Sequence, residues 1–360
     1  MVIVDNLSRR RIDLELGTSS LTPIQSPQAR VAAWKNVSRR EIRFHNLTVG
    51  SEYRDLVMLL QAEKPAAIVH FAEQRSAPYS MYGSRSMRYT VQNNLNGTHD
   101  VLCAVVEAGL YDTHIVHLGS IGVYGYKSTG ARIPEGYLPV TIRSDDGPKE
   151  IEIMYPAAPG SIYHMTKSQD ALFFYYYNKN YGLRITDLHQ GIVWGTQTRE
   201  TALAPELVNR FDYCGLYGTV LNRFLLQAVL GYPLTVHGSG GQTRAFIHIQ
   251  DTVRCIELAV RSPEDNRKRV RILNQITETH RVIDLASRIS AMTGVPWRSV
   301  ANPRNEEAAN DFDVENDGLM SLGLAPTTLE KGLMEEVCDI AGKYKDRCVV
   351  SQIPAVAAWR

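Results

Sequence analysis

The chain has 360 residues, and its 39 lysines and arginines nearly balance its 38 aspartates and glutamates. This balance argues against a nucleic-acid partner, which would require a basic surface, and the length allows one large or two modest domains. The five cysteines form no Cys-x-x-Cys motif, which is typical of a reducing compartment and argues against a metal site or a disulfide framework. No apolar run reaches the ~18 residues of a membrane helix, and no signal peptide is recognisable. We therefore predict a cytoplasmic protein without membrane insertion.

A short apolar run at the start of the chain ends at Asp5, which is followed by Asn6 and Arg9. In a dinucleotide-binding fold, an acidic residue at the end of the second strand binds the adenosine ribose hydroxyls. The alternative is an aspartate that opens a turn. Arg9 is either an adenine or phosphate contact or a solvated charge.

The first strand and the glycine-rich loop of such a fold precede this aspartate by about 20 residues. The sequence has no residues there, and no other stretch takes their place. Because the first strand lies in the middle of the sheet, its loss would leave unpaired backbone groups in the core. We expect a mis-set start codon or a trimmed sequence rather than a naturally shortened enzyme.

Strands and helices alternate along the first half of the chain. Ser26 and Pro27 predict a capped helix start. Asn46 lies in the strand predicted at 42–48, and related folds often carry near this position an aspartate that holds adenine. Strands are predicted at 42–48, 66–72, 113–118, 183–189, 233–237 and 271–274, and helices at 56–61, 83–108 and 251–261. This order predicts an α/β fold with a Rossmann-type doubly wound parallel sheet.

Two polar residues follow predicted strands at the edge where ligands bind in such sheets. Arg75 follows the strand at 66–72 and could grip an oxyanion, although a structural ion pair is the alternative. Ser120 follows the strand at 113–118 and could orient a substrate hydroxyl, although a turn serine is the alternative. Residues 126–160 then form an insertion that we interpret as a β-hairpin arm.

A tyrosine and a lysine four residues apart occur twice, as Tyr163 with Lys167 and as Tyr175 with Lys179. On one face of a helix, the ammonium can lower the pKa of the phenol and make it a general base. Ser161 caps a helix that begins near residue 162, so the first pair lies in its first turns, near the ligand edge. The second pair lies among aromatic residues that predict a packing face or a subunit interface. We therefore assign the catalytic role to Tyr163.

The second half of the chain predicts a smaller, mixed substrate domain. We divide the chain into a Rossmann domain at 1–195 and a mainly substrate-binding domain at 196–360, with some segments returning to the Rossmann sheet. Residues 240–244 read GGQTR and predict a glycine-rich turn that ends in Arg244, and Arg304 follows an Asn-Pro pair. Arginines on separate loops could converge on a diphosphate, although surface arginines are the default interpretation.

Several motifs are more specific than the general pattern. Residues 70–81 read HFAEQRSAPYSM, residues 163–167 read YHMTK and residues 187–191 read DLHQG. With GGQTR and with NPR at 302–304, they resemble the UDP-sulfoquinovose synthases. These form a group within the extended short-chain dehydrogenase/reductase superfamily of nucleotide-sugar epimerases and dehydratases. The resemblance implies UDP-glucose and sulfite as substrates, bound NAD as cofactor, a homodimer and, in some cases, a sulfite-donating protein.

The resemblance also implies residue roles. Tyr163 removes the proton of the sugar 4-hydroxyl, Lys167 holds the nicotinamide ribose and Ser120 assists. His164 is an acid/base for the elimination of water, with a packing role as the alternative. The implied catalytic residues are Ser120, Tyr163, His164 and Lys167. The implied cofactor-binding residues are Asp5, Asn6, Arg9, Asn46, Phe71, Asn94, Tyr163, Lys167 and Gln190. The implied substrate-binding residues are Arg75, Ser120, Gln190, Val193, Asn222, Arg223, Thr235, Arg244 and Arg304.

Two alternatives stay open at the level of sequence. One is a different NAD-dependent nucleotide-sugar epimerase or dehydratase without sulfite chemistry. The other is a shortened, non-catalytic homologue that binds a nucleotide sugar, because the phosphate-binding glycine loop is not present in these 360 residues.

Overall fold

The computed structural model describes residues 1–127, 130–264, 267–304, 306–329, 333–355 and 359. Its strands are β1 (Val2–Val4), β2 (Arg43–His45), β3 (Ala67–His70), β4 (His114–Leu118), β5 (Tyr137–Ser144), β6 (Gly147–Met154), β7 (Arg184–Gln190), β8 (Ile192–Trp194), β9 (Leu234–His237), β10 (Gly241–His248), β11 (Arg271–Gln275), β12 (Glu278–Arg281), β13 (Trp297–Val300) and β14 (Ala309–Asn310). Its helices are α1 (Ser8–Leu16), α2 (Pro27–Ser38), α3 (Tyr53–Glu63), α4 (Ala77–Ser80), α5 (Ser84–Glu107), α6 (Ile162–Tyr181), α7 (Val220–Val229), α8 (Ile249–Arg261), α9 (Val282–Thr293), α10 (Asp317–Ser321) and α11 (Leu333–Tyr344).

The central sheet is parallel and has the order β11-β7-β4-β3. Its strands are short apolar runs, as expected where helices cover both faces. On β4, Ile115 packs with the cluster formed by α3, α5 and α6, while its neighbour Val116 packs with the cluster formed by α8 and α10. Successive side chains of a strand point to opposite faces, so this split shows helices on both sides. The doubly wound parallel sheet predicted from the sequence is confirmed.

Strands β1 and β2 pair in parallel as a separate two-stranded sheet. Helix α1, which the sequence analysis did not predict, follows β1 directly. Ser26 caps α2 as predicted, because its hydroxyl accepts a hydrogen bond from the Ala29 amide at 3.1 Å and Pro27 occupies the first turn. Helices α1 and α2 thus form most of the arginine-rich segment at 9–40.

The insertion contains the predicted hairpin, in which β5 and β6 pair antiparallel from Tyr137 with Met154 to Ser144 with Gly147. A two-residue turn at Asp145 and Asp146 joins the strands. Residues 128 and 129 of the predicted insertion lie outside the described part of the chain. The hairpin base reaches the central sheet, because the Tyr137 hydroxyl donates to the Val270 carbonyl at 2.7 Å.

The second half of the chain contains a mixed sheet. Strand β10 pairs antiparallel with β12 and parallel with β8 and β14, while β9 pairs in parallel with β13. The predicted glycine-rich turn at 240–244 is wrong in extent. The turn ends at Gly240, where φ is +73°, and Gly241–His248 is strand β10. Arg244 therefore lies on a strand, because sheet pairing with β12 continues through its position.

The central sheet also receives a late segment of the chain, since β11 pairs with β7 along five residues. Within the described residues, no helix is both long and apolar enough to span a bilayer.

Candidate active site

A cavity of about 250 Å³ opens where the central sheet meets the second half of the chain. It lies at the carboxyl ends of β4 and β7, the edge at which ligands bind in doubly wound folds. The predicted residues that line it are Arg75, Ser120, Tyr163, His164, Gln190, Val193, Arg223, Thr235, Arg244 and Arg304. The structure thus brings together residues that are far apart in sequence.

Helix α6 places Tyr163 at this edge. The Ser161 hydroxyl accepts from the His164 amide at 3.2 Å and caps the helix, as predicted. The Tyr163 amide donates to the Ser80 hydroxyl at 3.0 Å, which ties the helix start to α4. Tyr163 thereby lies in the first turn beside the cavity, whereas Tyr175 is 47% exposed on the outside of the same helix.

Lys167 lies one turn further along α6 and is fully enclosed. Its ammonium lies 2.7 Å from Oε2 of Glu73 and donates to the Leu118 carbonyl at 2.7 Å. It also lies 3.1 Å from Nε2 of His117. The ammonium is 5.9 Å from the centre of the Tyr163 ring. The lysine is therefore held beneath the tyrosine by the Glu73 carboxylate and the Leu118 carbonyl.

The parallel register of β4 and β7 extends this cluster. His117 and Asp187 are register partners, and Nδ1 of His117 lies 2.8 Å from Oδ1 of Asp187. The other carboxylate oxygen of Asp187 lies 3.0 Å from Nε2 of His189, whose Nδ1 lies 2.8 Å from the Tyr124 hydroxyl. A chain of buried polar groups thus runs from Lys167 into the sheet.

Charge in the cluster is set by burial and by neighbouring ions. Burial favours neutral forms, but Lys167 and His117 outweigh it and lower the pKa of Glu73 to about 2. Burial and Lys167 lower the pKa of His117, but Asp187 and Glu73 outweigh them and raise it to about 9. Burial and the charge of Glu73 raise the pKa of Asp170 to about 8. Two cations therefore face two carboxylates, and Asp170 carries a proton.

This arrangement changes the expectation for Tyr163. The sequence analysis expected a lowered pKa, but burial raises the pKa of Tyr163, and the ammonium of Lys167 offsets only part of that effect. The Glu73 carboxylate also raises it, while a hydrogen bond with Ser120 lowers it. The prediction of a lowered pKa is wrong, because burial of the phenol, together with the Glu73 carboxylate, outweighs the effect of the Lys167 ammonium.

His70, Glu73 and His117 have ligand atoms within 4.8 Å of one another, the separation of a metal site. The Lys167 ammonium already contacts the carboxylate of Glu73 and the ring of His117. A metal ion here would lie against that positive charge, which is unfavourable in a buried site. We interpret the cluster as an ion-paired support for Lys167.

Ser120 begins the turn after β4, and its hydroxyl accepts from the Gly122 amide at 3.2 Å. The glycines at 119, 122 and 125 have the Gly-x-x-Gly-x-x-Gly spacing of dinucleotide loops, which the sequence analysis did not assign to any stretch. Their role here is close packing. A Cβ at Gly119 would lie 2.4 Å from Oδ1 of Asp187, and one at Gly122 would lie 2.3 Å from Nε2 of His164.

His164 has features of both roles left open by the sequence, which were an acid/base at the site and a packing residue. It is buried against Gly122, its Nδ1 lies 3.1 Å from the Ser161 hydroxyl, and its ring lines the cavity. Burial and two arginines, Arg304 and Arg244, lower the pKa of His164 to about 3. His164 is therefore neutral at neutral pH and does not start as a proton donor. It becomes a better proton acceptor when an anionic ligand offsets the charges of the two arginines.

Arg75 lies at the rim of the cavity and also forms the ion pair that was the structural alternative. Its guanidinium contacts the Asp212 carboxylate and lies 5.7 Å from the centre of the Tyr217 ring. The Arg75 side chain is 53% exposed, whereas that of Asp212 is 5% exposed. A buried carboxylate therefore orients an arginine whose other side faces solvent and the cavity.

Three further arginines approach the cavity from different elements. Arg223 lies in the first turn of α7, Arg244 on β10 and Arg304 in the loop after β13. Burial and Arg304 lower the pKa of Arg223 to about 10. Arg244 contacts Glu306, and among the described lining residues this glutamate is the only acidic one. Arg244 was expected at the end of a turn, yet it lies on strand β10. The cavity is positively charged.

The remaining substrate-site predictions divide into two groups. Gln190 donates from Nε2 to Oε1 of Gln275 at 3.1 Å, and Thr235 accepts from Nε2 of Gln227 at 2.9 Å; both line the cavity, as does Val193. Asn222 does not belong to the described lining. Its side-chain Oδ1 accepts from the backbone amide of Gly195 at 3.0 Å, and its Nδ2 donates to the Gly195 carbonyl at 3.2 Å. It therefore fixes the turn after β8.

The predicted adenosine contacts near the start of the chain have local partners. Asp5 accepts from the Leu7 amide at 2.6 Å and Asn6 accepts from the Ser8 amide at 2.9 Å, so both form turns at the start of α1. Arg9 contacts Asp13 and Asp212, and its guanidinium lies 3.6 Å from the centre of the Tyr217 ring. Arg9 is placed as a structural ion-pair residue rather than at the described cavity.

Three other predicted cofactor residues differ in exposure. Asn94 is buried on α5, where it accepts from the Gln74 amide at 2.8 Å and donates to the Gln74 carbonyl at 3.1 Å. It thereby fixes the loop that carries Glu73. Phe71 is 59% exposed after β3, and Asn46 is exposed after β2. Neither lies in the described cavity lining.

Sequence reasoning missed the polar cluster beneath Lys167. Its members are Glu73, His117, Asp170, Asp187, His189 and Tyr124. The available signal was a set of histidines and acidic residues inside otherwise apolar strands, which require partners when buried. Only their pairing across β4 and β7 shows which partner each has.

Comparison with known proteins shows the family to which the chain belongs. The NAD dependent epimerase/dehydratase family matches residues 15–274. The chain is 41% identical to the chloroplastic UDP-sulfoquinovose synthase of Spinacia oleracea, over 99% of this chain and 73% of that protein. It is 38% identical to the UDP-sulfoquinovose synthase of Sulfolobus acidocaldarius, over 93% of this chain and 83% of that protein.

Among solved structures, the fold is similar to that of UDP-glucuronic acid 4-epimerase from Bacillus cereus in complex with UDP-glucuronic acid and NAD. The TM-score is 0.66 at 19% identity, with 96% of this chain and 91% of that chain covered. At this identity the likeness concerns the fold alone. The near full-length relatives and the family match identify the chain as an enzyme of the NAD dependent epimerase/dehydratase family, in the group of the UDP-sulfoquinovose synthases.

Proposed function

We propose that the chain converts UDP-glucose and sulfite to UDP-sulfoquinovose. The similarity to two synthases over nearly the whole chain carries this proposal. The cavity supports it, because Tyr163 and the arginines Arg223, Arg244 and Arg304 line the same space. A sugar attached to a diphosphate needs a proton acceptor for the sugar and cations for the diphosphate at once.

The described residues fit the nicotinamide end of NAD. A buried ammonium at Lys167 and the adjacent phenol of Tyr163 can hold the ribose hydroxyls, and the exposed ring of Phe71 lies after β3. When bound, NAD supplies the hydride acceptor and donor for the sugar carbon 4. The glycine-rich contact for its diphosphate is not supplied by Gly119–Gly125, since those glycines pack against Asp187 and His164.

The chain's own residues handle protons and anions. Tyr163 takes the proton of the sugar 4-hydroxyl, and Ser120 orients that hydroxyl toward it. Oxidation at carbon 4 acidifies the proton on carbon 5. His164 takes this proton and gives it to the hydroxyl on carbon 6, which leaves as water. Bisulfite, the protonated form of sulfite, then adds to the carbon 5–carbon 6 double bond, so that its sulfur bonds to carbon 6 and its proton goes to carbon 5. When carbon 4 is reduced again, Tyr163 returns the proton to its oxygen. Arg75 faces this end of the cavity and holds the oxyanion.

The other three arginines of the cavity hold the diphosphate. Arg223, Arg244 and Arg304 project from α7, β10 and the 302–304 loop. Burial of these guanidinium groups with one nearby carboxylate is costly without an anionic ligand. A nucleoside diphosphate compensates the charge. Thr235, Gln190 and Val193 line the same cavity and contact the uridine or the sugar.

Finer aspects of the assignment remain our proposals. We keep the domain division at residue 195, a cytoplasmic location and delivery of sulfite either free or by a donor protein. We also propose a homodimer formed through α6. This is supported by the exposed apolar side chains of Leu172, Tyr175 and Tyr176, which are 61%, 47% and 53% exposed.

The decisive experiment supplies the purified chain with UDP-glucose, NAD and sulfite, followed by mass spectrometry of the nucleotide sugars. A sulfonated nucleotide sugar is expected only when all three are present and is lost in Tyr163→Phe. A modified nucleotide sugar that forms equally well without sulfite would instead favour an epimerase or dehydratase. UDP-glucose that binds but stays unchanged would favour a non-catalytic homologue.

A further inference from the structure

The indole of Trp359 lies against the loop that carries Arg304. The Trp359 amide donates to the Pro303 carbonyl at 2.8 Å. The Arg304 guanidinium lies 4.7 Å from the centre of the indole ring, within the range of a cation–π contact. Trp359 also lines the cavity. A residue near the carboxyl end of the sequence thus reaches the proposed nucleotide site.

Residues 352–354 are anchored next to the cavity. Ile353 is 1% exposed and belongs to the core of the second half of the chain. The Gly215 amide donates to the Gln352 carbonyl at 2.9 Å. A Cβ at Gly215 would lie 2.0 Å from the Pro354 carbonyl oxygen, a contact that no side chain tolerates. The glycine lets the two backbones touch beside the cavity.

Apolar packing holds the indole from its other side. Trp359 is partly buried against a cluster that includes Tyr79, Leu216 and Tyr217. Tyr217 and Leu216 line the cavity as well. The ring therefore bridges two walls of the cavity, the 214–217 segment and the 302–304 loop.

Arg304 needs such a support. Arg304 and Arg244 carry the same charge and line one cavity. The Arg244 guanidinium is 4.3 Å from the centre of the Tyr126 ring, which lines the same cavity. Two guanidinium groups that face the same space repel one another and spread apart unless something fixes them. The face of an indole attracts a cation and keeps its plane in one orientation.

We propose that Trp359 is a positioning residue for the nucleotide diphosphate, acting by holding the Arg304 guanidinium toward the cavity. The proposal rests on the assignment of this cavity to a nucleotide sugar. It adds a contact that none of the sequence motifs contained, because the tryptophan lies 55 positions beyond the arginine that it supports.

The test compares UDP binding by the full chain and its variants, measured by isothermal titration calorimetry. Trp359→Leu keeps an apolar side chain for the Tyr217 cluster but removes the aromatic face, and we expect UDP to bind about tenfold more weakly. Trp359→Phe keeps an aromatic face and should restore most of the affinity. Trp297→Leu is the matched control, because Trp297 is 43% exposed on β13 and does not line the cavity.

A second arm tests whether the effect passes through Arg304. In an Arg304→Gln background, Trp359→Leu should weaken UDP binding no further, because no guanidinium remains to be positioned. In steady-state kinetics, Trp359→Leu should raise KM for UDP-glucose and leave kcat nearly unchanged, since Tyr163 and Lys167 are untouched.

The outcomes separate the two proposals. A wild-type chain that does not bind UDP overturns the nucleotide-sugar assignment of the cavity. If the wild type binds and Trp359→Leu binds as tightly, the inference about Trp359 is wrong. A tenfold loss that persists in the Arg304→Gln background excludes positioning through Arg304.

Discussion

The ammonium of Lys167 lies 2.7 Å from the Glu73 carboxylate, and both side chains are 3% exposed. Asp170 lies in the same enclosure, with Oδ2 3.8 Å from Nε2 of His117. Two carboxyl groups thus share a site with Lys167 and His117, and burial favours keeping one of them protonated. Glu73 is the ionised one and Asp170 the neutral one.

A double-mutant cycle tests whether Glu73 is the ionised carboxyl group and Asp170 the neutral one. Glu73→Gln should lower the free energy of unfolding by about 3 kcal/mol, since it removes the carboxylate that contacts both Lys167 and His117. Near pH 4, where proton uptake by Asp170 costs little, Asp170→Asn should have little effect in the wild type. It should have a large effect in the Glu73→Gln background, where Asp170 becomes the remaining, more distant anionic partner. Urea unfolding measures all four proteins. Glu63→Gln, which breaks a largely exposed pair with Arg43, is the control and should cost at most about 1 kcal/mol.

Asp170 also predicts a pH dependence of stability. Its folded pKa of about 8 lies above the ordinary value of 3.8, so between these values the folded chain binds a proton that the unfolded chain releases. Stability from this group is present at low pH and falls as pH rises toward 8, by up to about 1.4 kcal/mol per pH unit. Asp170→Asn should remove this slope. Equal slopes for both proteins between pH 5 and 8 would contradict a protonated Asp170.

Tyr163 and Tyr175 offer a matched pair on one helix. Tyr163→Phe should reduce turnover by about 100-fold or more, because it removes the proton acceptor at the cavity. Tyr175→Phe should leave turnover unchanged, because that ring is 47% exposed on the outer face. Steady-state kinetics with UDP-glucose and sulfite measures both. Equal losses would show that the choice of Tyr163 is wrong.

Asp212 connects Arg75, Arg9 and Arg210. Burial raises the pKa of Asp212, but Arg75 and the other two arginines outweigh it and lower the pKa below its ordinary value. Its stabilising effect is therefore present above about pH 4 and is lost as pH falls through the lower folded value.

The variant Asp212→Asn should lose about 3 kcal/mol of stability at pH 7 and raise KM for the substrate that Arg75 contacts. The stability difference from the wild type should shrink as the pH falls below about 4, which thermal unfolding at several pH values can follow. A difference that is independent of pH would exclude an ionic role.

The proposed dimer predicts an effect of charge on α6. Leu172→Glu should shift the chain from dimer to monomer, because Leu172 is 61% exposed and a carboxylate there would be buried between subunits. Val253→Glu on α8 is the control, at 43% exposure on a helix that covers the other face of the sheet. Light scattering after gel filtration measures the mass. A monomeric wild type would refute the dimer.

Local patterns in the sequence predicted much of the fold. Ser26 and Ser161 cap their helices as their side chains and positions indicate, because a cap depends on residues within one turn. The apolar runs of β3 and β4 predicted buried parallel strands for the same reason. The spacing of Tyr163 and Lys167 determined that both lie on one face near the start of α6.

Other features depend on distances in sequence that no local pattern covers. Glu73 and Lys167 are 94 positions apart and meet because β3 and β4 run parallel and end at the same edge. The extent of β10 depends on pairing with β12, which turned a predicted loop position at Arg244 into a strand position. Pairing between strands that are distant in sequence thus decided which residues form a strand and which form a turn.

The sequence alone indicated the family, the choice of Tyr163 over Tyr175 and most of the order of strands and helices, because these depend on short motifs and local periodicity. Only the tertiary structure decided that Lys167 is paired with Glu73, that Asn222 holds a turn and that Trp359 reaches Arg304. Each of these contacts depends on which buried polar or aromatic group lies nearest in space, and burial makes that neighbour decisive for charge and orientation.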